Sequence, residues 1–180
     1  MNGLELITPT SVDGSGVSLS GAKVVFASAT SISINGIFSS NYDNYLFVIR
    51  YVHEDYFRGV NMRMRLSGTD DAGSNYAYQR LQASGSSVSG ARTTSFTQAE
   101  ISGVDSANIS GAHVYVYGPA LAQPTAIRGM SVVGYLGGTI YDQAATHTLS
   151  TAYDGCTINN NLNSMTGSLT IYGFTKQSVV

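Results

Sequence analysis

Apolar and polar residues alternate with a period of two along much of this chain. Residues 60–66 alternate without a break: Val60, Met62, Met64 and Leu66 would share one face, and Asn61, Arg63 and Arg65 the other. Residues 31–34 and 112–117 alternate in the same way. Such alternation is typical of strands that bury one face. No long segment has the i, i+3, i+4, i+7 spacing of an amphipathic helix, so we predict an all-β chain.

Residues 30–53 combine two strand signals with two turn signals. Asn35 and Gly36 follow the strand predicted at 31–34, and this dipeptide tolerates the positive φ angles of a tight turn. A second polar corner at 41–44 precedes residues 45–52, a β-branched and aromatic run long enough to cross a sheet. The segment contains no obvious reactive group, so it predicts architecture and not chemistry.

Further strand candidates recur between turn signals, at 4–7, 23–27, 75–81, 126–135, 146–150, 157–159 and 167–174. The small-residue tract ASGSSVSGA at 83–91 is predicted to be a flexible loop, because Gly and Ser favour flexible connections. We expect eight to ten strands in total. Their spacing predicts a jelly-roll-like antiparallel β-sandwich with a short N-terminal arm.

A chain of 180 residues fits one domain and can bury a core that needs no disulfide or metal. We assign the sandwich domain to residues 21–180. Residues 1–20 are less regular, and two interpretations of them stay open. The apolar segment 4–7 is either an edge strand followed by a loop or part of an extended arm that docks on a neighbouring subunit.

Composition agrees with a strand-rich protein. Charged residues make up 11% of the chain, well below the average of about 25%, and Ser and Thr take their place. The net charge of −2 argues against nucleic acid as the main partner, since phosphate binding needs clustered positive charge. The basic residues are mostly Arg, which is enriched in protein interfaces, so the chain is expected to be part of an assembly.

The first residues and the apolar runs of the sequence predict no targeting signal. The first residues, MNGLELITPTS, lack a basic start followed by an apolar core, so no signal peptide is expected. No run of about 18 apolar residues occurs, so no membrane span and no membrane partner are expected.

Candidate metal and nucleophile residues are few. His53, His113 and His147 have no second ligand type at a recognisable zinc spacing, so structural roles are expected, with a spatial cluster as the alternative. The loop that contains Asp70 and Asp71 matches only the start of a calcium loop, so we interpret it as a solvated turn. The single Cys156 excludes an intrachain disulfide and is expected to be a small buried or half-buried residue, with a nucleophile as the alternative.

Other polar groups carry weaker signals. Glu54 and Asp55 are expected to form a surface corner, with a salt-bridge site at an interface as the alternative. Asn108 begins a glycosylation triplet that carries no weight without a secretory signal. Asp142 and Asp154 are the default carboxylates of a glycosidase, which would need a pair roughly 5–9.5 Å apart in a cleft. We therefore predict no catalytic, cofactor-binding or metal-binding residue, no cofactor, and a protein that is not an enzyme.

Tyrosine is the dominant aromatic residue, with 12 copies and no Trp. On strands, about half of these side chains would fill the core. Those that face outward would suit protein interfaces or contact with sugar, because Tyr is both stiff and amphipathic.

Several segments carry a resemblance that covers nearly the whole chain. They are GLELITPTS, SGAKVVFASATSISINGIFSSNYDNYLFVIRY, RLSGTDDAGSNYAYQRL, HVYVYGPALAQPTA, THTLSTAYDG and SLTIYGF. In these segments the chain resembles a family of small phage virion structural proteins, described as tail-fibre-like, minor tail or head-surface β-sandwich proteins. The resemblance implies a location in the virion after synthesis in the host bacterial cytoplasm. It also implies contact with other tail or capsid proteins, self-assembly with a trimer as first expectation, and a host surface glycan as a further partner.

Two roles in the virion follow from that resemblance. The long polar loops and the usual description of the family favour a tail-associated role of tail-fibre or receptor-binding type. The lack of a coiled-coil stalk favours the alternative, a capsid decoration protein. A free-standing carbohydrate-binding module and a glycosidase are the competing hypotheses from other classes.

Overall fold

A computed structural model describes residues 3–54, 59–103, 108–134, 138–160 and 163–176. These residues form a jelly-roll-like antiparallel β-sandwich of sixteen strands without a helix, which confirms the predicted fold class. No helix in these ranges is long and apolar enough to cross a membrane.

The strands follow one another along the chain as β1 (Leu4–Ile7), β2 (Ser11–Asp13), β3 (Val17–Ser20), β4 (Lys23–Ala29), β5 (Ser31–Asn35), β6 (Tyr42–His53), β7 (Val60–Leu66), β8 (Thr69–Asp70), β9 (Tyr76–Ser84), β10 (Ser87–Phe96), β11 (Ala99–Ser102), β12 (Ile109–Tyr117), β13 (Thr125–Val133), β14 (Thr139–His147), β15 (Gly155–Asn159) and β16 (Met165–Thr175).

The strands form two sheets. The ten-stranded sheet has the order β10-β9-β14-β13-β12-β6-β16-β4-β3, and β1 also pairs with β16. The six-stranded sheet has the order β11-β7-β15-β5-β2, with β8 beside β7. Neighbours in both sheets run antiparallel. The core lies between the sheets because each of them turns one apolar face toward the other.

The strands of the six-stranded sheet show how the period of two builds this core. Met62 and Met64 are fully buried, as the alternation of 60–66 predicts. On the other side of the same strand, Arg65 pairs with Asp70 and donates a hydrogen bond of 2.8 Å to Asn35 Oδ1. This polar network covers the outer side of the sheet, so β15 is buried throughout its length.

The segment at 83–91 is not a loop, and that prediction is wrong. Strands β9 and β10 form a hairpin in which Ser84 pairs with Ser87. Gly85 between them has a φ of 57°, and Gly at the first loop position is typical of a tight hairpin turn. The small residues on either side of the turn accept strand geometry because β9 supplies their backbone partners.

Other boundaries also differ from the prediction. A strand was expected at 146–150, but β14 begins at Thr139 and ends at His147. The described residues contain sixteen strands, more than the eight to ten expected, because β2 and β8 have only three and two residues and β10 lies in the expected loop. Short strands are recognised by their pairing, and the sequence alone does not show pairing.

The N-terminal segment lies within the sandwich of its own chain. Leu4 pairs with Phe174 and Ile7 with Ile171, while β2 pairs with β5 and β3 with β4. Leu4 and Leu6 keep about half of their surface exposed, at 49% and 52%.

Candidate functional site

The candidate site is the outer face of the ten-stranded sheet, on the side away from the core. Antiparallel pairing aligns one row of side chains across five strands of this face: Val48, His113, Met130, Asp142 and Leu81. Paired residues point to the same side of a sheet, so the row forms a continuous surface from β6 to β9.

A second row runs beside the first, through Arg50, Gly111, Val132, Ile140, Ala83 and Val88. Val132, Ile140 and Val88 are exposed to 51%, 60% and 76%, which is unusual for large aliphatic side chains next to one another. We call the surface formed by Val48, Leu81, Val88, Ile109, Met130, Val132 and Ile140 the apolar groove. Its volume is about 830 Å³, within the range typical of binding sites.

Charged groups in the groove are few. Arg128 donates to both carboxylate oxygens of Asp142, at 3.1 and 2.7 Å, and this pairing raises the pKa of the Arg128 guanidinium. Both side chains of the pair are about half exposed. Arg50 lies in the second row, next to Gly111. The surface is therefore mainly aliphatic, with one ion pair whose two charges cancel and one further cation, Arg50.

Aromatic side chains lie on the same outer face, beyond the ion pair. The rings of Tyr115 and Tyr117 are stacked with centroids 6.2 Å apart and planes at 12°, and Phe174 lies 6.3 Å from Tyr115. We call these three residues the aromatic stripe. Tyr115 pairs directly with Arg128, so the stripe is continuous with the groove.

A buried polar cluster joins the two sheets elsewhere. His147 is fully buried at the end of β14, and its Nε2 lies 2.6 Å from Oδ2 of Asp71. A carboxylate only accepts hydrogen bonds, so Nε2 carries the proton. The hydroxyl of Tyr153 lies 3.3 Å from the same nitrogen, and the hydroxyl of Tyr76 donates to the backbone carbonyl of Asp71 at 3.0 Å.

The electrostatics of this cluster follow from burial and hydrogen bonding. Burial acts to raise the pKa of Asp71, but hydrogen bonds from the backbone N–H of Gly73, from His147 and from Asn75 outweigh it, and the pKa falls below its ordinary value. Burial raises the pKa of the Tyr76 and Tyr153 hydroxyls. His147 is inaccessible to solvent, and its contact with Asp71 holds the loop after β8 against the end of β14.

The three histidines occupy different environments. His113 is exposed in the first row of side chains, beside Val48 and Met130. His147 belongs to the buried cluster, and His53 is buried with a hydrogen bond between its ring and the side chain of Asn160. Within the described ranges, no group of three His, Cys, Asp or Glu side chains could hold a metal ion. Asp70 pairs with Arg65 and accepts a hydrogen bond from Thr157 at 2.7 Å, so its carboxylate is bound by side chains of the six-stranded sheet.

The remaining candidates are also separate. Asp142 lies on the outer face of the ten-stranded sheet, whereas Asp154 accepts hydrogen bonds from the backbone N–H of Ser67 beside the six-stranded sheet. The core lies between them, so they do not form a glycosidase pair. Cys156 is fully buried, as expected, and burial raises the pKa of its thiol.

The acidic corner is described only in part. Hydrogen bonds from the hydroxyls of Ser164 and Ser28 lower the pKa of the exposed Glu54. Asp55 lies outside the described residues, so the surface corner that it would form with Glu54 stays a prediction. Asn108 lies within the described residues, and its position does not test whether the glycosylation triplet at 108–110 is used.

Sequence reasoning did not find the apolar groove. The apolar residues of β13 and β14 were visible, but their period of two did not show which of them face outward. A direct signal would have been that apolar residues occur on both faces of β13, at Ile127 and Val133 on one side and at Met130 and Val132 on the other. A strand that is apolar on both faces needs cover on both.

The fold and the site together define an antiparallel β-sandwich protein with an open apolar groove on its larger sheet. No protein-family model matches the sequence, and neither does any curated protein. The chain is similar to the solved exoplasmic/lumenal domain of VIP36 in its Ca2+/Man-bound form, with 10% identity and a TM-score of 0.36, over 94% of this chain and 85% of that one.

It is also similar to the lectin from Bauhinia forficata in complex with GalNAc. The identity is 8% and the TM-score 0.24, over 96% of this chain and 99% of that one. TM-scores this low carry no ligand or activity from either protein to this chain.

Proposed function

We propose that this chain is a non-enzymatic structural protein on the surface of a bacteriophage virion, where it assembles with itself and with other virion proteins. The observation that carries the proposal is the apolar groove. Large exposed apolar patches on soluble proteins are commonly protein contact surfaces. The resemblance to small phage virion structural proteins supplies the setting.

The chemistry of the groove favours a protein partner. Its centre is aliphatic and depleted of charge, and its one ion pair, Arg128 with Asp142, is already neutral. Interface cores share this depletion of charged residues. A protein surface that covers Val132 and Ile140 would remove a large apolar area from water, and the hydrophobic effect makes that burial favourable.

The proposal that the chain is not an enzyme rests on how its titratable groups are used. His147 and Asp71 bind each other in a buried cluster, and Asp142 binds Arg128. Within the part of the chain that the structure describes, these side chains act as partners of one another. In the groove, Met130 separates His113 from Asp142, and Asp142 is held by Arg128, so the described lining presents no adjacent acid and base pair for group transfer.

Within the virion we propose a tail-associated role of tail-fibre or receptor-binding type, with capsid decoration as the alternative. Antibody labelling of virions, seen by negative-stain electron microscopy, tests both. We expect label on the tail. Label over the whole capsid would replace the tail role by decoration, and virions without label after proven antibody binding to the purified chain would contradict the virion proposal.

A substitution in the groove tests whether this surface makes the contacts. Ile140→Asp places a charge in the centre of the apolar surface without entering the core, because Ile140 is 60% exposed. We expect the variant to fold with an unchanged melting temperature and to lose incorporation into virions by roughly tenfold or more, since burying an unpaired charge in an interface is costly. Incorporation is measured by immunoblot of purified particles from a complemented infection.

The control is Thr146→Asp, which adds the same charge to an exposed position on the same strand and face, away from the groove. Equal incorporation of the Ile140→Asp variant and the native chain would show that the groove is not an assembly surface.

The aromatic stripe favours a second candidate function, binding of a host surface glycan. Tyr115 and Tyr117 present stacked rings on an open face, and Tyr117 is 40% exposed. Flat aromatic surfaces suit the apolar faces of sugars. A glycan array with the native chain and with Tyr117→Ala tests this: binding that is lost in the variant supports it, and an array without signal removes the candidate.

A further inference from the structure

Strand β10 is the most exposed long strand of the sandwich. It covers ten residues, Ser87–Phe96, and eight of them are exposed. Consecutive residues of a strand point to opposite faces, and residues 87–92 are all exposed, so the six-stranded sheet does not lie beneath this part of β10. In the described residues β10 pairs only with β9, which leaves one whole edge of the ten-stranded sheet without a backbone partner.

The hairpin determines which backbone groups this edge presents. Ser84 and Ser87 enclose the two-residue turn. In such hairpins the backbone N–H of each enclosing residue donates to the C=O of the other. Bonding then alternates along an antiparallel ladder. Odd-numbered residues of β10 therefore bond to β9, and the N–H and C=O groups of Val88, Gly90 and Arg92 point away from the molecule.

This edge lacks the usual protection. Natural edge strands are commonly blunted by proline, by several charges, by bulges or by shortness. Residues 87–93 contain no proline and one charge, Arg92, and they follow a regular register with β9. The ladder becomes irregular only between Thr93 and Phe96, where Ser95 has a φ of 58°. A regular unpaired segment is a template for another strand.

We infer that the free edge of β10 pairs antiparallel with β10 of a second copy of this chain. A partner must supply an equally long free edge. Of the other strands that end a sheet or pair on one side only, β1, β3 and β11 have four residues each, β2 has three and β8 two. The longest complementary edge on the described part of a second copy is thus β10 itself.

The side chains of β10 are compatible with this two-fold contact. An antiparallel pair of identical strands is symmetric about a two-fold axis. With one charged residue per strand, Arg92 faces a neutral residue in every register except the one centred on itself. Serine, glycine and alanine dominate 87–91, so two copies can approach closely.

Apolar contact continues across the new edge. Val88 is 76% exposed and lies at the border between the edge and the apolar groove. At Gly90 an added Cβ would lie 3.8 Å from Leu81 Cδ2, which is ordinary contact, so the glycine leaves a shallow notch beside Leu81. A side chain of the second copy opposite Gly90 would cover Leu81, which is 55% exposed.

This β10 contact specifies one surface for the proposed self-assembly. Only its biological setting, the virion, rests on the proposed function. A two-fold contact gives dimers, or higher assemblies with even numbers of subunits, in place of the trimer that the resemblance implies. Purified protein tests the contact and labelled virions test the role, so either can fail without the other.

The first test is the mass of the purified full chain by analytical ultracentrifugation over a range of concentrations. We expect a monomer–dimer equilibrium. Val88→Pro removes an outward N–H in each copy and leaves the hairpin bonds intact, so dissociation should become easier by roughly tenfold or more. Leu19→Pro, on the opposite edge of the same sheet, is the control: it lies one residue from the enclosing pair Ser20 and Lys23, so it also removes only an outward N–H and should leave the dimer unchanged.

The second test is disulfide formation by single cysteine variants, which does not depend on Val88→Pro folding well. Cys156 is fully buried, so its thiol gives little background. Cysteine is placed in turn at each position from 88 to 93. Residues on the two-fold axis meet their own copy at a distance suited to a disulfide. We expect oxidised dimer to peak sharply at one or two adjacent positions.

Three outcomes would overturn the inference. They are a monomer at every concentration, a dimer that survives Val88→Pro but is lost in Ile140→Asp, and cross-linking equal at all six positions and at a Ser18→Cys control. The second outcome would assign self-association to the apolar groove instead of the edge.

Discussion

Gly129→Ala is expected to destabilise the sandwich by about 3 kcal/mol, a large part of the stability of an ordinary domain. A Cβ at Gly129 would lie 2.2 Å from the backbone oxygen of Ile101. Strand β11 of one sheet thus crosses β13 of the other in direct backbone contact. The obstacle is backbone and cannot rotate away, so the sheets must separate locally and the packing around Ile101 is lost. Urea unfolding at fixed protein concentration measures the change.

Gly111→Ala is the matched control for this prediction. Gly111 lies on the neighbouring strand β12, where a Cβ would be 3.7 Å from the backbone oxygen of Ile49, an ordinary contact. We expect stability to stay equal or to rise slightly, because alanine loses less backbone entropy than glycine on folding. Equal effects of the two substitutions would contradict the close approach of β11 and β13.

Asp71→Asn is expected to have the second-largest effect, a loss of about 2–4 kcal/mol at pH 7. The carboxylate of Asp71 accepts hydrogen bonds from His147 Nε2–H, from the backbone N–H of Gly73 and from the side-chain amide of Asn75. An amide provides one acceptor oxygen where the carboxylate provides two, so it cannot serve all three donors. The buried His147 then loses part of its charge-assisted bonding, and the joint between the loop after β8 and the end of β14 weakens.

The same substitution should change how stability depends on pH. The folded-state pKa of Asp71 lies below its ordinary value of 3.8. Its contribution is therefore fully present above the unfolded-state pKa and is lost as the pH falls toward the lower folded-state pKa. The native chain should lose more stability than Asp71→Asn when the pH is lowered from about 5 to 3. Chemical unfolding at several pH values measures the two slopes.

Asp142→Asn serves as the control here. Asp142 also pairs with a basic side chain, Arg128, but both partners are about half exposed to solvent. Exposed ion pairs contribute little to stability because water screens them. We expect a small change at pH 7 and an acid dependence like that of the native chain. An Asp71→Asn variant that behaves like Asp142→Asn would show that the cluster does not stabilise the fold.

The alternation of single strands was predictable because it is a local property. In β7 the sequence assigned Met62 and Met64 to one face and Arg63 and Arg65 to the other, and the structure agrees. The predicted strand at 45–52 lies within β6. Period two follows directly from strand geometry, so no knowledge of neighbours is needed to recognise it.

The hairpin of β9 and β10 shows where local reasoning fails. Residues 83–91 have the composition of a linker, and composition alone favours a loop. Pairing with β9 supplies their backbone hydrogen bonds and overrides the weak strand propensity of Ser and Gly. Residues 87–92 of β10 have no core beneath them, and only the extents of the two sheets reveal this.

The buried polar cluster and the close contact at Gly129 could be recognised only from the complete fold. Asp71 and His147 are separated by 76 positions along the chain, and nothing in either local sequence indicates the other. Their contact arises because the loop after β8 and the end of β14 meet at one end of the sandwich. Likewise, Gly129 became informative only once β11 was seen to cross β13.

The sequence by itself determined the class of this protein: an all-β chain with alternating strands, low charge and no motif of catalysis. The tertiary structure alone decided which apolar residues are core and which form the groove. Ile127 is buried and Met130 and Val132 are outside, although all three lie on β13. The physical reason is that alternation divides a strand into two faces, while burial depends on where the second sheet ends, and that is set by pairings between residues distant in the chain.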